Sequence, residues 1–247
     1  MPRFFIDASQ VYTDGDACLI RITGEDAHHI THVLRTRIGE EIIACDEAGM
    51  VYRTVLTEAG EGVLLRVLEQ SAADTEPPYI ATVYQALVKG DKMETVIQKA
   101  VETGASVIVP MVTSRAVVKL DEKDAGKKTE RWQKIAHEAA KQCGRGIIPR
   151  VTLPVSFKEA MQQAASADLA LFCYEGGGTE SLTTLCRKTE APKTISLCVG
   201  PEGGFADGEA EAAAEAGLRM CGLGKRILRT ETAALFVLSC LSAIYEL

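Results

Sequence analysis

Apolar and polar positions follow one pattern up to about residue 70 and a different pattern after it. In the first part, short apolar runs with strand character are separated by tight turns such as Asp46–Gly49. The runs are Phe4–Ile6, Cys18–Ile22, Glu41–Cys45, Val51–Leu56 and Val63–Leu68. A single helix is predicted from about Glu25 to Arg37, because Ala27, Ile30 and Leu34 recur at helical spacing. Many short strands with one helix predict a small β-barrel.

The segment Ser71–Pro78 predicts a linker, because it is polar, ends in two prolines and separates the two patterns. After it, apolar strand-like runs alternate with helices. The strands are Ile80–Val88, Val107–Val112, Leu169–Cys173, Ile195–Val199 and Leu218–Leu223, and the helices are Asp91–Gly104 and Thr129–Cys143. This alternation predicts an α/β domain with a mostly parallel sheet and helices on both faces. We therefore divide the chain into domains 1–72 and 73–247.

The last predicted helix, Thr230–Tyr245, is apolar on nearly every side. Its apolar residues run from Ala233 to Leu238 and continue with Leu241 and Ile244, so almost no polar stripe remains. A helix of this kind must be covered on all sides, either by the core or by a second subunit. Because the helix closes the chain at the surface of a domain, we favour the second subunit and hence a homodimer.

Charge is distributed unevenly along the chain. The 27 basic and 34 acidic residues give a net charge of −7, which argues against a simple basic nucleic-acid binder. Residues 1–74 hold six arginines, no lysine and thirteen acidic residues, whereas residues 115–150 hold ten basic and five acidic residues. The second segment is therefore either a place where a polyanion docks or a solvated helix face.

The composition also indicates the compartment. No apolar run reaches the roughly 18 residues that a membrane span needs, and the first residues lack the hydrophobic core of a signal peptide, so we expect a cytoplasmic protein. The eight cysteines form no CxxC pair, and several lie in apolar runs. This pattern favours buried thiols over disulfides or zinc ligands.

Three glycine-rich segments follow predicted strands of the second domain. They are Cys173–Gly178, Gly200–Gly204 and Gly222–Ala233. Because ligands bind beyond the carboxyl ends of parallel strands, these segments together predict a site that encloses one ligand with backbone groups. The signatures of a P-loop and of a dinucleotide-binding fold are absent. His28, His29 and His32 share one helix but lack an acidic third ligand on the same face, so we expect no metal.

Several longer motifs resemble a known family. GPEGGF after a strand, followed by LGKRILRTETA leading into an apolar helix, resembles the SPOUT class of S-adenosylmethionine-dependent RNA methyltransferases. Four further segments narrow the resemblance to the 16S ribosomal RNA uracil-N3 methyltransferases. They are PRFF, HHITHVLRTRIGEEI, KGDKMETVIQKAVETGASVIVPMVTSRAV and RWQKIAHEAAKQCGR. The resemblance spans nearly the whole chain.

The resemblance implies an N-terminal PUA-like, RNA-binding β-barrel and a C-terminal α/β domain with a parallel sheet and a trefoil knot. It also implies a homodimer that takes part in ribosome assembly, with S-adenosyl-L-methionine as methyl donor and no metal. The residues implied to bind this cofactor are Leu171, Phe172, Glu175, Val199, Gly200, Pro201, Glu202, Gly203, Gly204, Leu223, Gly224, Leu228, Arg229, Thr232 and Ala233. Two features depart from the family, namely Cys143 where serine is expected and a first domain without lysine.

The chemistry of N3 methylation requires loss of the N3 proton or stabilisation of the resulting anion. Arg145 and Arg229 are candidates for stabilising that charge, because a guanidinium stays charged and matches the oxygens of uracil. Glu231 is a candidate base, with helix capping as the alternative role, and Glu202 is expected to orient its own loop. The residues expected to contact RNA are Arg3, His28, Arg35, Arg37, Lys89, Arg115, Lys134, Lys141 and Arg145.

Two other functions remain open at the level of sequence. One is a related methyltransferase that acts on another RNA, either at the ribose 2′-oxygen or on a different base. The other is a non-catalytic RNA-binding module with the same fold, which would not bind S-adenosylmethionine. Intact GPEGG and LRTETA motifs argue against the second alternative.

Overall fold

A computed structural model describes residues 1–116 and 121–247. They form two compact units, Met1–Glu76 with Ala140–Ile148, and Pro77–Ala139 with Pro149–Leu247. The segment Ala140–Ile148, which the sequence pattern placed in the second domain, therefore lies with the first unit. The domain limits 1–72 and 73–247 stay a prediction. Part of the basic segment 115–150 and the end of the SRAV motif fall on 117–120, outside the described residues.

The first unit contains a six-stranded sheet. Its strands are β1 (Arg3–Ile6), β2 (Val11–Asp14), β3 (Ala17–Ile22), β4 (Glu41–Asp46), β5 (Met50–Ala59) and β6 (Val63–Ala72). Their order is β1-β4-β5-β6-β3-β2, with β1 parallel to β4 and the other neighbours antiparallel. Alternate residues of β5 are buried, as expected for strands with one face on a core. Each of the five predicted strands in this region is confirmed.

The helix of the first unit is shorter than predicted. Helix α1 (Gly24–His28) continues only as a π-helical segment, His29–Val33. Leu34, predicted to be buried, is exposed. The chain leaves the helix because Arg35 adopts a left-handed conformation with φ of 55°. A helix of L-residues cannot continue through that conformation.

The second unit is built on an eight-stranded parallel sheet. Its strands are β7 (Ile80–Ala86), β8 (Val107–Val112), β9 (Arg150–Val151), β10 (Val155–Ser156), β11 (Leu169–Cys173), β12 (Glu180–Ser181), β13 (Thr194–Val199) and β14 (Arg219–Gly222). The order is β10-β8-β7-β13-β11-β14-β12, and β9 pairs with β8. This sheet confirms the predicted α/β class. The carboxyl ends of β11, β13 and β14 meet at one edge, which is where parallel sheets bind ligands.

Among the described residues, six helices follow β7. They are α2 (Lys92–Glu102), α3 (Glu122–Cys143), α4 (Phe157–Ala164), α5 (Leu182–Arg187), α6 (Asp207–Glu215) and α7 (Thr230–Tyr245). The last residues of α3 lie in the first unit. Helix α3 begins seven residues earlier than the predicted Thr129, and α7 has the predicted bounds. None of the helices within the described ranges combines the length and the apolar character that a membrane crossing requires. The trefoil knot stays a prediction.

Candidate functional site

A cavity of about 480 Å³ lies at the carboxyl edge of the second unit's sheet. That volume is in the range of small-molecule sites, roughly 300–1,000 Å³. Its lining comes from the segments after β11, β13 and β14 and from the start of α7. The lining residues are Lys92, Cys173, Tyr174, Glu175, Thr179, Val199, Gly200, Pro201, Glu202, Gly204, Gly222, Leu223, Gly224, Lys225, Arg226, Ile227, Leu228, Arg229, Thr230, Glu231 and Ala233.

The segment Gly200–Gly204, which we name the glycine loop, is tied to the sheet by a buried hydrogen-bond chain. Gln85 is fully buried at the end of β7, and its Nε2 donates to Thr230 Oγ1 at 2.8 Å. Thr230 Oγ1 donates in turn to the carbonyl oxygen of Gly200 at 2.6 Å. Because the threonine hydroxyl accepts from one group, its own proton is directed to the other. This chain fixes the glycine loop relative to the start of α7.

Two cationic side chains hold the same loop from other directions. Arg115 Nη1 donates to the carbonyl oxygens of Gly203 at 3.1 Å and of Phe205 at 3.0 Å. Lys92 Nζ lies 2.8 Å from Glu202 Oε1, and the backbone N–H of Lys89 donates to the same oxygen at 3.4 Å. These contacts fit the expectation that Glu202 orients its own loop.

The Glu202 carboxyl is electrostatically matched to its surroundings. Burial raises its pKa, but hydrogen bonds from Lys92 Nζ and from backbone N–H groups outweigh that effect. The net result is a pKa below the ordinary value for a glutamate. The charged form of Glu202 is therefore the one that this environment stabilises.

Gly204 shows why the loop needs glycine at its end. Its φ is 66°, in the left-handed region that L-residues with a side chain rarely adopt. A Cβ at this position would also collide with the carboxylate of Glu175. At Gly200 a Cβ would come within 3.1 Å of the Phe205 ring and 3.3 Å of the Phe205 nitrogen. At both positions the loop packs so closely against a neighbouring residue that a Cβ would force a shift.

The wall formed after β11 contains an aromatic side chain. Tyr174 Oη donates to Asp207 Oδ1 at 3.2 Å, so its ring is anchored at the start of α6. Burial, and then the hydrogen bond to Asp207, raise the pKa of this phenol. Tyr174 is thus a neutral, oriented ring that lines the cavity beside Glu175.

The segment Leu223–Arg229, which we name the basic loop, forms the other wall. Ile227 is 87% exposed, and Lys225 and Arg226, which directly precede it at the loop tip, are also exposed. Arg229 Nη1 lies 4.0 Å from Glu231 Oε1. The second oxygen of Glu231 is buried and has no hydrogen-bond partner among the described residues. A buried acceptor without a partner at a cavity wall is available to a donor on a bound ligand.

Most of the residues predicted to bind the cofactor line this one cavity. Those that do so are Glu175, Val199, Gly200, Pro201, Glu202, Gly204, Leu223, Gly224, Leu228, Arg229 and Ala233. Leu171 and Phe172 are fully buried inside β11, and Gly203 and Thr232 are also absent from the lining. Cofactor binding by any of these residues stays a prediction.

The candidate catalytic residues are not all brought together. Arg229 and Glu231 line the cavity. Arg145 does not line it, and belongs to the first unit, where its guanidinium forms a buried ion pair with Glu76. Glu76 Oε1 also accepts from the backbone N–H of Gly146 at 3.1 Å. These contacts describe a structural role for Arg145, and its catalytic role stays a prediction without support from the cavity.

The residues predicted to contact RNA fall into two groups. Some are engaged inside their own unit: Arg3 Nη1 donates to Cys45 Sγ at 3.2 Å and to the Arg145 carbonyl at 3.1 Å, and Lys141 Nζ lies 3.0 Å from Asp26 Oδ1. Arg115 holds the glycine loop as described. The exposed group consists of His28, Arg35, Arg37, Lys89 and Lys134. RNA contact by either group stays a prediction.

Several residues that line or support the cavity were not singled out by the sequence. Gln85 and Thr230 are ordinary polar residues in a strand and a helix, and their contact joins positions 145 residues apart. Lys92, Tyr174, Lys225 and Arg226 also line the cavity. The one indication in the sequence for Lys225 and Arg226 was that both lie inside the LGKRILRTETA motif. Within residues 1–116 and 121–247, no three histidine, cysteine, aspartate or glutamate side chains are grouped to hold a metal ion.

Comparison with known families gives two matches that together cover most of the chain. The family described as RNA methyltransferase domain matches residues 75–242. The family described as RNA methyltransferase PUA domain matches residues 22–68. The first match covers the whole cavity, and the second lies within the first unit.

Individual relatives carry one common name. Ribosomal RNA small subunit methyltransferase E of Bacillus subtilis is 38% identical, with 100% of this chain and 98% of that protein aligned. The protein of the same name from Mesomycoplasma hyopneumoniae is 30% identical over 97% of this chain and 98% of its own.

Solved structures agree with these sequence matches. Ribosomal RNA small subunit methyltransferase E from Neisseria gonorrhoeae, solved bound to S-adenosyl methionine, has a TM-score of 0.86 at 30% identity. The alignment covers 99% of this chain and 98% of that one. A Legionella pneumophila protein in complex with the bound cofactor SAM has a TM-score of 0.83 at 30% identity, over 98% and 96% of the two chains. The chain therefore belongs to the RNA methyltransferase family, among relatives named ribosomal RNA small subunit methyltransferase E.

Proposed function

We propose that this protein transfers a methyl group from S-adenosylmethionine to N3 of a specific uridine in the 16S RNA of the small ribosomal subunit. The observation that carries the proposal is the cavity bounded by the glycine loop and the basic loop. It lies inside the segment that matches RNA methyltransferases. Full-length similarity to small-subunit methyltransferases supports the choice of ribosomal RNA. The uracil N3 position rests on the sequence resemblance described first.

The cavity fits S-adenosylmethionine on its chemistry as well as its volume. Gly200 and Gly204 contribute backbone to the cavity lining, and Leu223 and Leu228 provide apolar surface. The partnerless Glu231 oxygen would accept from a donor group on the ligand or on the target base. When bound, this cofactor supplies a methyl group activated by a positively charged sulfur.

The protein's own contribution is to align the target base and to manage the charge at N3. Arg229 is exposed at the cavity, so its guanidinium can bind the oxygens of uracil and stabilise negative charge as the N3 proton leaves. Glu231, on the first turn of α7, is the residue proposed to accept that proton. The buried hydrogen bonds made by Gln85 and Thr230 hold the two walls of the cavity at fixed positions relative to each other.

Exposed basic residues in each unit are proposed to contact the RNA. In the second unit Lys89 and Lys134 are exposed, and in the first unit His28, Arg35 and Arg37 are exposed. Contacts from these residues to phosphates would position the RNA without reading its sequence. Because the substrate is ribosomal RNA, the protein is proposed to act in the cytoplasm during assembly of the small subunit.

The proposed assembly is a homodimer through α7. Its buried residues recur at helical spacing on one side, from Ala233 through Val237 to Leu241. Phe236 and Ile244 are exposed on the remaining surface, which a second subunit would cover. Equilibrium sedimentation would show twice the chain mass for the wild type and a single chain mass for Phe236→Glu if the proposal holds.

Nucleoside analysis tests the proposed reaction. Small subunits from cells that lack this activity are incubated with the protein and labelled S-adenosylmethionine, and the digested RNA is examined by mass spectrometry. Label in 3-methyluridine is the expected result. Label in a 2′-O-methylated or another nucleoside would overturn the assignment to N3 while keeping the methyltransferase. Absence of label, together with absence of S-adenosylmethionine binding in calorimetry, would support the non-catalytic alternative.

A further inference from the structure

The tip of the basic loop has a composition that the cofactor does not explain. Lys225 and Arg226 are exposed, and the next residue, Ile227, is 87% exposed. All three line the cavity. An isolated exposed isoleucine is ordinary on a protein surface, but here it stands beside two cations at the mouth of a binding site.

The two cations have no carboxylate partner within the described part of the chain. Among the described residues, no side-chain hydrogen bond or ion pair reaches Lys225, Arg226 or Ile227. The chain as a whole carries 34 acidic residues against 27 basic ones, so cations without an acidic neighbour are not forced by composition. Their positive charge is therefore available to a partner from outside the chain. A partner of opposite charge is a polyanion.

The position of the tip relates it to the substrate. Methyl transfer requires the target nitrogen to reach the donor inside the cavity, so the nucleotides on either side of the target lie at the cavity mouth. A base must leave its stack before an enzyme can act on its pairing edge. Proteins that unstack nucleic acids insert an apolar side chain into the opened step and hold the adjacent phosphates with basic residues.

We propose that the basic loop is an RNA-opening element. Lys225 and Arg226 bind the phosphates that flank the target uridine, and Ile227 occupies the gap that the uridine leaves in the stack. This inference rests on the proposed function of the same cavity, and adds three residues that contact the RNA substrate.

A second copy of the chain is the alternative occupant of this surface. In a two-fold symmetric interface through the tip, Lys225 and Arg226 would approach their own copies, and like charges repel. The uncompensated cations therefore favour RNA over self-association at this loop. The face proposed for the dimer is on α7, at Phe236 and Ile244, and does not include the tip.

The first experiment measures RNA affinity against salt concentration. The variant Lys225→Ala/Arg226→Ala is compared with Lys158→Ala/Arg187→Ala, which removes two exposed cations that do not line the cavity. Purified small subunits from cells lacking the activity, and a single-stranded RNA containing the target segment, are the probes. Loss of two phosphate contacts should lower the salt slope of log affinity by about 1.4 for the single-stranded probe. S-adenosylmethionine affinity is measured for both variants as well, so that a change in cofactor binding is recognised separately from the loss of phosphate contacts.

The second experiment isolates Ile227. A 2-aminopurine beside the target uridine reports unstacking by fluorescence, independently of methylation. Wild-type protein should raise the fluorescence, Ile227→Ala should abolish most of the rise while binding RNA within about threefold of wild type, and Ile227→Leu should restore it. An unchanged salt slope in the double alanine variant, an equal fluorescence rise in Ile227→Ala, or a change of sedimentation mass in either variant would overturn the inference. Because these readouts do not use methyl transfer, they fail separately from the nucleoside analysis.

Discussion

The glycine loop and the basic loop line the same cavity but differ in how the rest of the protein holds them. The glycine loop is held from three sides, by Thr230, Arg115 and Lys92. At the tip of the basic loop, no described side chain provides a comparable contact, and Ile227 is largely exposed. We infer that the two loops have different roles. The glycine loop, which is fixed, shapes the cofactor site, and the tip of the basic loop contacts the substrate.

This difference has a physical reason. A site that binds a small ligand gains affinity when its geometry exists before binding, because less order has to be created on association. A surface that must fit an RNA chain gains from side chains that keep their charge accessible. The hydrogen bonds that fix the glycine loop therefore act on the part of the site whose geometry must exist before the ligand binds.

The largest expected effect comes from Thr230→Val. The substitution keeps the shape of the side chain but leaves the Gln85 amide and the Gly200 carbonyl without their common partner. Leaving buried polar groups unsatisfied costs about 1–3 kcal/mol. We expect S-adenosylmethionine affinity to fall by about tenfold or more in calorimetry.

Thr230→Ser provides the matched control, since it keeps the hydroxyl and should stay within about threefold of wild type. Gln85→Leu should weaken binding on its own, and combined with Thr230→Val it should add little, because the two residues act through one chain. Fully additive losses in the double variant would contradict the proposed chain.

A smaller effect is expected from Gly204→Ala. The alanine would be held at a φ of 66°, a strain of about 1–2 kcal/mol, and its Cβ would displace the Glu175 carboxylate from the cavity wall. Both S-adenosylmethionine affinity and the thermal midpoint should decrease. Gly208→Ala is the control, because a Cβ at that position in α6 meets nothing within 4 Å and φ is not positive. Equal behaviour of the two variants would show that the glycine loop tolerates a side chain.

The third variant, Arg115→Ala, separates two interpretations of one residue. As a support for the glycine loop, Arg115 should affect S-adenosylmethionine affinity by about three- to tenfold, because two charged hydrogen bonds to loop carbonyls are lost. As a phosphate contact, it should change the salt slope of RNA binding instead. We expect the cofactor affinity to fall. A changed salt slope with unchanged cofactor affinity would instead support the prediction from the sequence that Arg115 contacts RNA.

The smallest effect concerns pH. The pKa of Glu202 is lower in the folded protein than in an unfolded chain, so the unfolded state binds more protons in the acidic range. The stabilisation that Glu202 provides is present above its unfolded pKa, and is lost as pH falls through the folded pKa. Between about pH 6 and about pH 3, the thermal midpoint of Glu202→Gln should therefore fall less steeply than that of wild type. Parallel curves would show that the contact with Lys92 has no influence on stability.

Much of the architecture was readable from the sequence because it depends on local patterns. Alternating and continuous apolar runs predicted the positions of the main strands. The apolar sequence of α7 predicted where that helix begins and ends. Helix α3 was underestimated because its first turns, from Lys123 to Lys128, are polar and carry no buried stripe. Helix α1 was overestimated because the left-handed turn at Arg35 depends on backbone geometry that hydrophobic spacing does not encode.

The candidate site, too, was predictable from the sequence only where it depends on local patterns. Glycine and proline mark loops directly, so the glycine loop could be located from its composition. The partners that fix it could not, because Arg115 and Gly203 are 88 residues apart and no local pattern connects them. The same holds for Arg145, whose carboxylate partner is 69 residues away. Long-range polar contacts of this kind require the fold itself.

Hydrogen–deuterium exchange on the intact protein tests the division between the two loops most directly. Exchange is followed with no ligand, with S-adenosylmethionine, and with S-adenosylmethionine plus small subunits lacking the modification. We expect the cofactor alone to slow exchange in the glycine loop, and added subunits to be required for protection at Lys225, Arg226 and Ile227. Full protection of the tip by the cofactor alone, or no further change on adding subunits, would contradict the account.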